Sequence, residues 1–371
     1  MGGKPGQETR ENGKGKREKG KGKRQKGKGK GERGKGRGSI ARPRVKGTGE
    51  LTVNRTVILA ALLGSIASAA APQQPSSPSQ PPWTLSEDQI RTIVGRVRAG
   101  RDLTPKTWPN GARVAVGLSF DLDNETGTLR DGLTSPALLS QGEYGSRAGL
   151  PRVLSLLEKH RVAASFFVPA VSGMLHPESM KAIAKSGRHE VGLHGWIHER
   201  NSQLDEATER ELLTRAARAL ETSTGKRPSG MRTPSWDYSP ATLKIARELG
   251  LLYDSSLMAD DHPYEVLADG QPTGLVELPV EWILDDFPYF WMDRSSTVRP
   301  TMTPDEVFDI WKGEFDGAYE ERGLFILTMH PHVIGHRARI AMLDRLVTYM
   351  KSKPGVWFAT HEEIAKHVKP K

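Results

Sequence analysis

Short apolar runs alternate with longer amphipathic segments from residue 113 to the C terminus, and this alternation limits the fold most. Eight runs have the length and apolar content of buried strands: 113–120, 163–168, 189–193, a run ending at Met231, 251–253, 276–278, 324–329 and 356–358. The segments with helical character are 149–160, 177–186, 205–224, 239–249, 304–321 and 338–351. Regular strand–helix alternation implies parallel strands with right-handed crossovers. With seven or eight such units, an α/β barrel fits better than an open sheet.

The first 50 residues differ in composition from everything that follows. They hold 18 Lys and Arg against 5 Glu, a net charge of +13, so the chain's total of +10 leaves −3 for residues 51–371. With almost no apolar residue to bury, this basic tail is expected to be disordered. It either adheres to an anionic polymer, membrane surface or nucleic acid, or is a solvated run with no selected role. The charge gives no reason to expect nucleic acid as a partner of the folded part.

Residues 51–71 are typical of a secretory signal peptide. A short basic flank leads into the apolar run 57–67, and a small-residue cleavage site follows at Ala69 or Ala71. The run is shorter than the ~20 residues that span a bilayer comfortably, so we expect a secreted or cell-envelope protein with no stable membrane span after cleavage. The alternatives are an uncleaved anchor or a buried helix, and without a signal the protein is cytoplasmic. A further hypothesis is that translation begins near Val53, so that residues 1–50 are not made.

Residues 72–110 are predicted to form a Pro-, Gln- and Ser-rich linker followed by an N-terminal helix at 85–97. Residues 111–371 then form one domain with a large core, and the sequence allows a homo-oligomer. The chain has no cysteine, which excludes disulfides and thiolate metal sites. Any metal must therefore be held by His, Asp or Glu.

Polar residues stand where four of the predicted strands end. Charged side chains are costly along a strand that is buried on both faces, and ligands bind at the carboxyl ends of parallel strands. The residues are Asp121 and Asp123, His194 and His198, Arg232, and His330. Together they make a plausible metal-hydrolase centre.

Asp121 and Asp123 lie on the same side if their strand continues, and two such carboxylates stay ionised only with cations nearby. A metal beside Asp123 and the guanidinium of Arg232, which can pair bidentately with carboxylate, beside Asp121 would satisfy both. His194 and His198 share a face if residues 195–198 start a helical turn. Two neutral histidines and one aspartate leave a fourth zinc position for water. The alternatives are a turn or helix cap for the aspartates, a chance spacing of the histidines and an ordinary salt bridge for the arginine.

His330 is the candidate general acid because it is the nearest of three histidines in 329–336 to its strand end. His332 and His336 are expected to be loop or supporting residues. Asp254 either orients a catalytic partner or caps a turn. Trp236 and Trp282 either form aromatic walls for a sugar or belong to the core.

The order of these motifs resembles the polysaccharide deacetylase family, carbohydrate esterase family 4, whose fold is called the NodB-homology domain. The resemblance covers 114–366 and rests on four segments: 120–123, 194–198, 232–236 and 327–330. It implies a distorted (β/α)7-8 barrel and a catalytic domain over 111–371. It also implies removal of N-acetyl groups from chitin-like polymers or peptidoglycan, with an N-acetylated glycan as the partner.

The resemblance also implies a role for each candidate residue. Asp121 corresponds to the general base, Arg232 to the partner of that base and His330 to the general acid. Asp123, His194 and His198 correspond to the ligands of a divalent metal, expected to be Zn²⁺.

Two departures are similar to a divergent branch of the family that includes peptidoglycan-deacetylase-like and metal-free allantoinase-like members. Leu122 separates the two aspartates, and residues 124–145 are added before the next helix. The complete Asp/His/His set favours the metal-dependent members. We therefore expect a hydrolase of carbon–nitrogen bonds other than peptide bonds that deacetylates a cell-wall or other N-acetylated polysaccharide. The alternatives are an allantoinase-like cyclic amide or imide hydrolase and an inactive carbohydrate-binding protein.

Overall fold

A computed structural model describes residues 81–292 and 302–369, together with Gly2. The basic tail, the predicted signal peptide and most of the predicted linker lie outside the described residues, so those predictions stay predictions. Within the described ranges, the structure contains no helix that is both long enough and apolar enough to cross a membrane.

In the part of the chain that the structure describes, ten strands form one curled, mixed sheet. They are β1 (Val97–Asp102), β2 (Val114–Asp121), β3 (Ser165–Val168), β4 (Glu190–Leu193), β5 (Gly230–Met231), β6 (Tyr253–Asp254), β7 (Tyr264–Ala268), β8 (Gln271–Glu277), β9 (Leu324–Met329) and β10 (Val356–Phe358). Their order is β1-β7-β8-β6-β5-β4-β3-β2-β10, with β9 also paired to β2. The pairs from β8 through β10 and β9 are parallel, and β7 is antiparallel to both neighbours. The predicted α/β class is confirmed, and among the described strands the distorted barrel is a half-barrel.

Strand β2 lies between β3 and β9, and every residue of β2 and of β9 is buried. Strands that are covered on both faces have continuous apolar sequences, which is why the pattern located them. The parallel register pairs Phe120 with Met329 and Asp121 with Phe167. The residues that follow these three strands therefore meet at one edge of the sheet.

Helices cover the sheet between these strands. They are α1 (Glu87–Gly95), α2 (Thr126–Arg130), α3 (Pro136–Tyr144), α4 (Leu150–His160), α5 (Ala170–Leu175), α6 (Pro177–Lys185), α7 (Glu206–Thr224), α8 (Thr242–Glu248), α9 (Phe287–Phe290), α10 (Pro304–Glu321), α11 (Pro331–Ile334), α12 (Arg337–Ser352) and α13 (His361–Val368). The longest helix, α7, begins where the side chain of Asp205 accepts a hydrogen bond from the Thr208 amide, and it ends at Gly225 with φ 73°. Local sequence therefore sets its limits.

The pattern of apolar residues does not predict β1 or β7. Strand β1 reads Val-Arg-Ala-Gly-Arg-Asp, which lacks apolar alternation, and it pairs antiparallel with β7. Strands β7 and β8 form a hairpin whose turn is Asp269 (φ 46°) and Gly270 (φ 75°). Asp-Gly is a strong signal for such a turn, so this hairpin was detectable from the sequence.

Candidate active site

The predicted site residues meet at the carboxyl edge of the curled sheet. Asp121 ends β2, and the others follow β2, β4, β5 and β9. All six are buried: Asp121, Asp123, His194, His198, Arg232 and His330. Five of them line a cleft of about 280 Å³ together with Ser235, Trp236, Trp282, Asp285 and Phe287, whereas Arg232 lies behind Asp121.

Asp123, His194 and His198 form a group that fits a tetrahedral metal. One potential ligand atom from each lies within 4.8 Å of the other two. His194 Nε2 is 3.4 Å from Asp123 Oδ1, and His198 Nε2 is 3.3 Å from Asp123 Oδ2. Ligands at ~2.0–2.1 Å from tetrahedral zinc are about 3.3–3.4 Å apart. Asp123 Oδ1 is also buried without a hydrogen-bond donor among the described residues, so the residues present fit a divalent metal.

The protonation of His194 suits ligation. His194 Nδ1 donates to the Arg232 carbonyl at 2.7 Å, which leaves Nε2 with its lone pair toward the cleft. Burial lowers the pKa of His194 and so favours the neutral ring. Burial alone would raise the pKa of Asp123, but His198, His330 and His194 hold it well below its ordinary value.

The two histidines do not share a helical turn, so that expectation is wrong. Residues 194–198 form a loop in which Gly195 has φ 72° and His198 has φ 66°. The carboxylate of Glu199 holds this loop by accepting hydrogen bonds from the amides of Trp196 and Ile197 at 2.8–2.9 Å. A left-handed non-glycine residue costs of order 1–3 kcal/mol, so the surrounding contacts impose the position of His198.

Arg232 contacts Asp121 as the sequence suggests. Its Nη1 donates to Asp121 Oδ1 at 2.8 Å through one hydrogen bond rather than a bidentate pair. The remaining four N–H groups have acceptors at 2.8–3.4 Å on Ser119, Ser255 and His361. A buried guanidinium with five satisfied donors is rigid, so it holds Asp121 in one orientation.

His330 is held by two acidic residues that the sequence analysis missed. Its Nδ1 donates to Asp286 Oδ1 at 2.7 Å, and its backbone amide donates to Asp286 Oδ2 at 3.0 Å. Asp285 Oδ1 is 3.7 Å from the same ring nitrogen, and His330 Nε2 is 3.6 Å from Asp123 Oδ2. Burial alone would lower the pKa of His330, but the two neighbouring carboxylates outweigh burial and hold it well above its ordinary value. The only signal in the sequence was an acidic pair that directly follows an apolar stretch.

Comparisons with known proteins agree with this geometry. The family model for polysaccharide deacetylase matches residues 141–253. The peptidoglycan deacetylase of Helicobacter pylori is 30% identical to this chain over 279 residues, which cover 68% of this chain and 95% of that protein. The chain belongs to the polysaccharide deacetylase family. It is therefore a hydrolase of carbon–nitrogen bonds other than peptide bonds.

Solved structures that resemble this chain include a polysaccharide deacetylase and an allantoinase. A Mycobacterium smegmatis structure assigned to the polysaccharide deacetylases is 37% identical with a TM-score of 0.67, covering 73% of this chain and 95% of that one. PuuE allantoinase is 28% identical with a TM-score of 0.63, covering 73% of this chain and 97% of that one. The predicted likeness to peptidoglycan-deacetylase-like and allantoinase-like proteins is confirmed.

The added residues 124–145 lie on one side of the cleft. They include α2 and α3, which line a second cavity of about 400 Å³ that shares Asp123, His198, Ser235 and Phe287 with the first. Arg130 at the end of α2 donates to His198 Nδ1 at 3.0 Å and to the His198 carbonyl at 3.3 Å. An arginine has no acceptor, so His198 Nδ1 must be unprotonated in this contact.

Aromatic side chains form the opposite wall of the cleft. Trp282 is 46% exposed and its ring centroid lies 4.2 Å from that of Trp236, which is buried. Phe287 packs edge-on against the ring of His330. The two tryptophans are therefore cleft residues, and Trp282 offers a free aromatic face at the mouth.

The other candidate residues lie outside this cleft. His332 is buried and lines the second cavity, and His336 stacks on Tyr144 with ring centroids 4.1 Å apart. Asp254 is fully buried behind the site and does not line either cavity. Among the described residues, none of these three is hydrogen-bonded to the proposed base or acid.

Proposed function

We propose that this protein is a metal-dependent deacetylase that removes N-acetyl groups from a cell-wall or related N-acetylated glycan. The observation that carries the proposal is the convergence of an Asp/His/His group, an arginine-held aspartate and a protonated histidine on one cleft. The names of its relatives, which include the peptidoglycan deacetylase of Helicobacter pylori, support a glycan substrate.

Asp123, His194 and His198 would hold the metal, with Zn²⁺ as the expected ion. A bound divalent metal supplies Lewis acidity to the amide carbonyl and lowers the pKa of a coordinated water. Asp121 is placed to accept the proton of the attacking water, because its Oδ2 is 3.7 Å from His194 Nε2 at the edge of the metal group. Arg232 orients that carboxylate through the hydrogen bond from its Nη1.

His330 is placed to protonate the departing amine. Its Nε2 faces the cleft, while Asp286 fixes the opposite ring nitrogen and stabilises the charged imidazolium. A base and an acid on either side of one group of ligands are what hydrolysis of an amide requires. Intact base and acid positions also argue against an inactive carbohydrate-binding protein.

The exposed tryptophan favours a glycan over a small ring. Trp282 presents an aromatic face next to the reacting groups, where the apolar face of a sugar can pack. The second cavity, which adjoins the catalytic cleft, gives space for the rest of an extended substrate. The cleft and the cavity therefore suit a substrate longer than one small molecule.

Hydrolysis of a cyclic amide or imide is the second candidate, and the similarity to PuuE allantoinase favours it. The reacting groups suit any carbonyl next to nitrogen. The Asp/His/His group supports a metal-dependent reaction in either case.

The two candidates are separated by testing zinc-loaded and chelator-treated protein on both kinds of substrate. Acetate release would be measured from N-acetylglucosamine oligomers and from peptidoglycan, and ring opening from cyclic imides. We expect zinc-dependent acetate release that is lost in Asp121→Asn. Ring opening without acetate release would assign the protein to the second candidate. If neither reaction were detected, the result would favour an inactive carbohydrate-binding protein.

A further inference from the structure

A pair of buried carboxyl groups behind the catalytic cleft is not used by the proposed mechanism. Asp254 ends β6 and Glu277 ends β8, and the two are register partners on neighbouring parallel strands. Both are fully buried. Neither oxygen of Asp254 and not Oε2 of Glu277 has a well-placed hydrogen-bond donor among the described residues, although the hydroxyl and amide of Ser256 lie near enough to Asp254 to oppose part of the rise in its pKa.

No basic side chain among the described residues neutralises this pair. The charge of Arg232 acts on Asp254 and opposes part of the rise in its pKa, but all five N–H groups of Arg232 have other acceptors. Burial and the charges of both carboxyl groups raise the pKa values of Tyr238 and Tyr264, and neither hydroxyl is hydrogen-bonded to the pair. Two buried, unpaired carboxylates would be very costly, so something must supply positive charge.

A single proton would join one oxygen of Asp254 to Oε2 of Glu277. Side chains on register partners of adjacent strands lie on the same face, and here each carboxyl group acts directly on the other. Two carboxylates repel, whereas a carboxylic acid donates to a carboxylate in a short, strong hydrogen bond. The missing donor is therefore the proton that one of the two retains.

We propose that Asp254 and Glu277 share one proton at neutral pH and that this pair positions Arg232, and through it Asp121. Glu277 Oε1 accepts hydrogen bonds from the amides of Ser256 and Leu257, both at 2.9 Å. The pair thereby holds the turn at 255–257.

That turn carries the acceptors for the guanidinium. Ser255 accepts Arg232 Nε on its carbonyl and Arg232 Nη2 on its hydroxyl, both at 3.0 Å. The Ser256 hydroxyl accepts the amide of Thr233, the residue after the arginine. Asp254 and Glu277 are therefore positioning residues, which touch neither substrate nor metal.

The pair makes stability depend on pH in a defined direction. Burial raises the pKa of Asp254 to about 7, and burial together with the charge of Asp254 raises the pKa of Glu277 well above its ordinary value. A carboxyl group whose pKa is raised by folding contributes stability that is complete below its unfolded pKa of ~4. That contribution is lost as the pH rises through the folded value, here between about 4 and 7.

Urea unfolding of metal-free protein between pH 4 and pH 8 tests the shared proton without any substrate. In Glu277→Gln the amide oxygen still accepts from residues 256 and 257, and its N–H donates to Asp254 in place of the proton. We expect the urea midpoint of this variant to fall less than that of the wild type as the pH rises. If the urea midpoints of wild type and variant fell in parallel as the pH rose, the proposal would be overturned. A midpoint that depended on sodium or potassium concentration instead of pH would also overturn it, because the pair would then bind a cation.

Glu190→Gln is the matched control. Glu190 is also buried and its pKa is also raised by burial, but its oxygens accept hydrogen bonds from Ser165, Tyr253 and the Glu362 amide. An amide N–H there would oppose a donor, so we expect a lower urea midpoint throughout the pH range. If Glu277→Gln also lowered the midpoint at every pH, the shared proton would be refuted.

The positioning role has its own readout. Glu277→Ala removes the acceptor of the turn, and we expect kcat for the N-acetylated substrate to fall about tenfold with KM and bound metal unchanged. Glu277→Gln should restore most of that loss. A change in KM or metal content, or no recovery in the glutamine variant, would overturn the positioning role. If the alanine variant fails to fold, the kcat of the glutamine variant relative to Glu277→Met decides, because only glutamine keeps an acceptor for the amides of residues 256 and 257.

Discussion

His194 and His330 each use one ring nitrogen for a hydrogen bond and leave the other free for chemistry. The Arg232 carbonyl selects the neutral, ligating form of His194. Asp286 stabilises the protonated form of His330. The same side chain thus becomes a ligand or an acid according to whether a carbonyl or a carboxylate faces it.

The roles of the two aspartates are separable by substitution. Asp121→Asn should keep the metal but lose turnover by about 10²–10⁴-fold, because general-base removal typically costs that much. Asp123→Asn should weaken metal binding first, since it removes a charged ligand. Elemental analysis and kcat of both variants check this, and the reverse pattern would exchange the two roles.

Asp286→Asn should move the alkaline limb of the activity profile to lower pH. The carboxylate of Asp286 helps to hold the pKa of His330 above its ordinary value, and without this charge the imidazolium loses its proton earlier as the pH rises. The measurement is kcat against pH for wild type and variant at equal metal content. An unshifted alkaline limb would show that another group sets it.

Arg130→Gln should tighten metal binding. Arg130 donates to His198 Nδ1, and a histidine that binds metal through Nε2 carries its proton on Nδ1. Arg130 must therefore give up this bond when the metal binds. We expect a Kd lower by on the order of tenfold in metal competition titrations, the scale typical of contacts behind metal ligands. Weaker binding in the variant would mean that the arginine supports the site.

Among the secondary-structure elements, the added helices α2 and α3 matter most to the cleft because they pack where Asp123 leaves β2. A Cβ at Gly142 in α3 would lie 2.3 Å from the carbonyl oxygen of Asn124. The helix can approach the backbone next to the metal group only without a side chain at this position.

Gly142→Ala should therefore lower both the free energy of unfolding and metal affinity. Gly313→Ala in α10 is the control, because no atom lies within 4 Å of its added Cβ. We expect that variant to be more stable by about 0.5–1 kcal/mol, since alanine is the better helix former. Urea unfolding and metal titration of both variants provide the check, and equal effects would remove the argument from close approach.

At the scale of the whole molecule, cleavage of the predicted signal peptide would change both the net charge of the protein and its compartment. Removal of residues 1–71 would take away the tail's +13 and Arg55, which leaves −4 on the rest of the chain. We propose that the mature form is exported and begins after Ala69 or Ala71. N-terminal sequencing of secreted protein checks this, and salt should hardly alter its activity on a neutral glycan. An extracellular form that starts upstream of Asn54 and binds anionic polymer strongly would restore a role for the tail.

The sequence alone located the strands of the central sheet and six residues of the site. Strands buried on both faces have continuous apolar sequences, and the polar residues at their carboxyl ends stand out against them. Asp121, Asp123 and His330 were found in this way, and parallel topology implied that they meet. These signals are local in the sequence, so no structure was needed to see them.

Only the tertiary structure determined the contacts that orient these side chains. His330 and Asp286 are 44 residues apart, and Arg130 and His198 are 68 apart. Asp254 and Glu277 meet because β6 pairs with β8 and not with β7, the next strand in the chain. Local periodicity shows which residues are buried but not which distant segments become neighbours. The charge of each neighbour then determines the protonation state and the role of the residue that it faces.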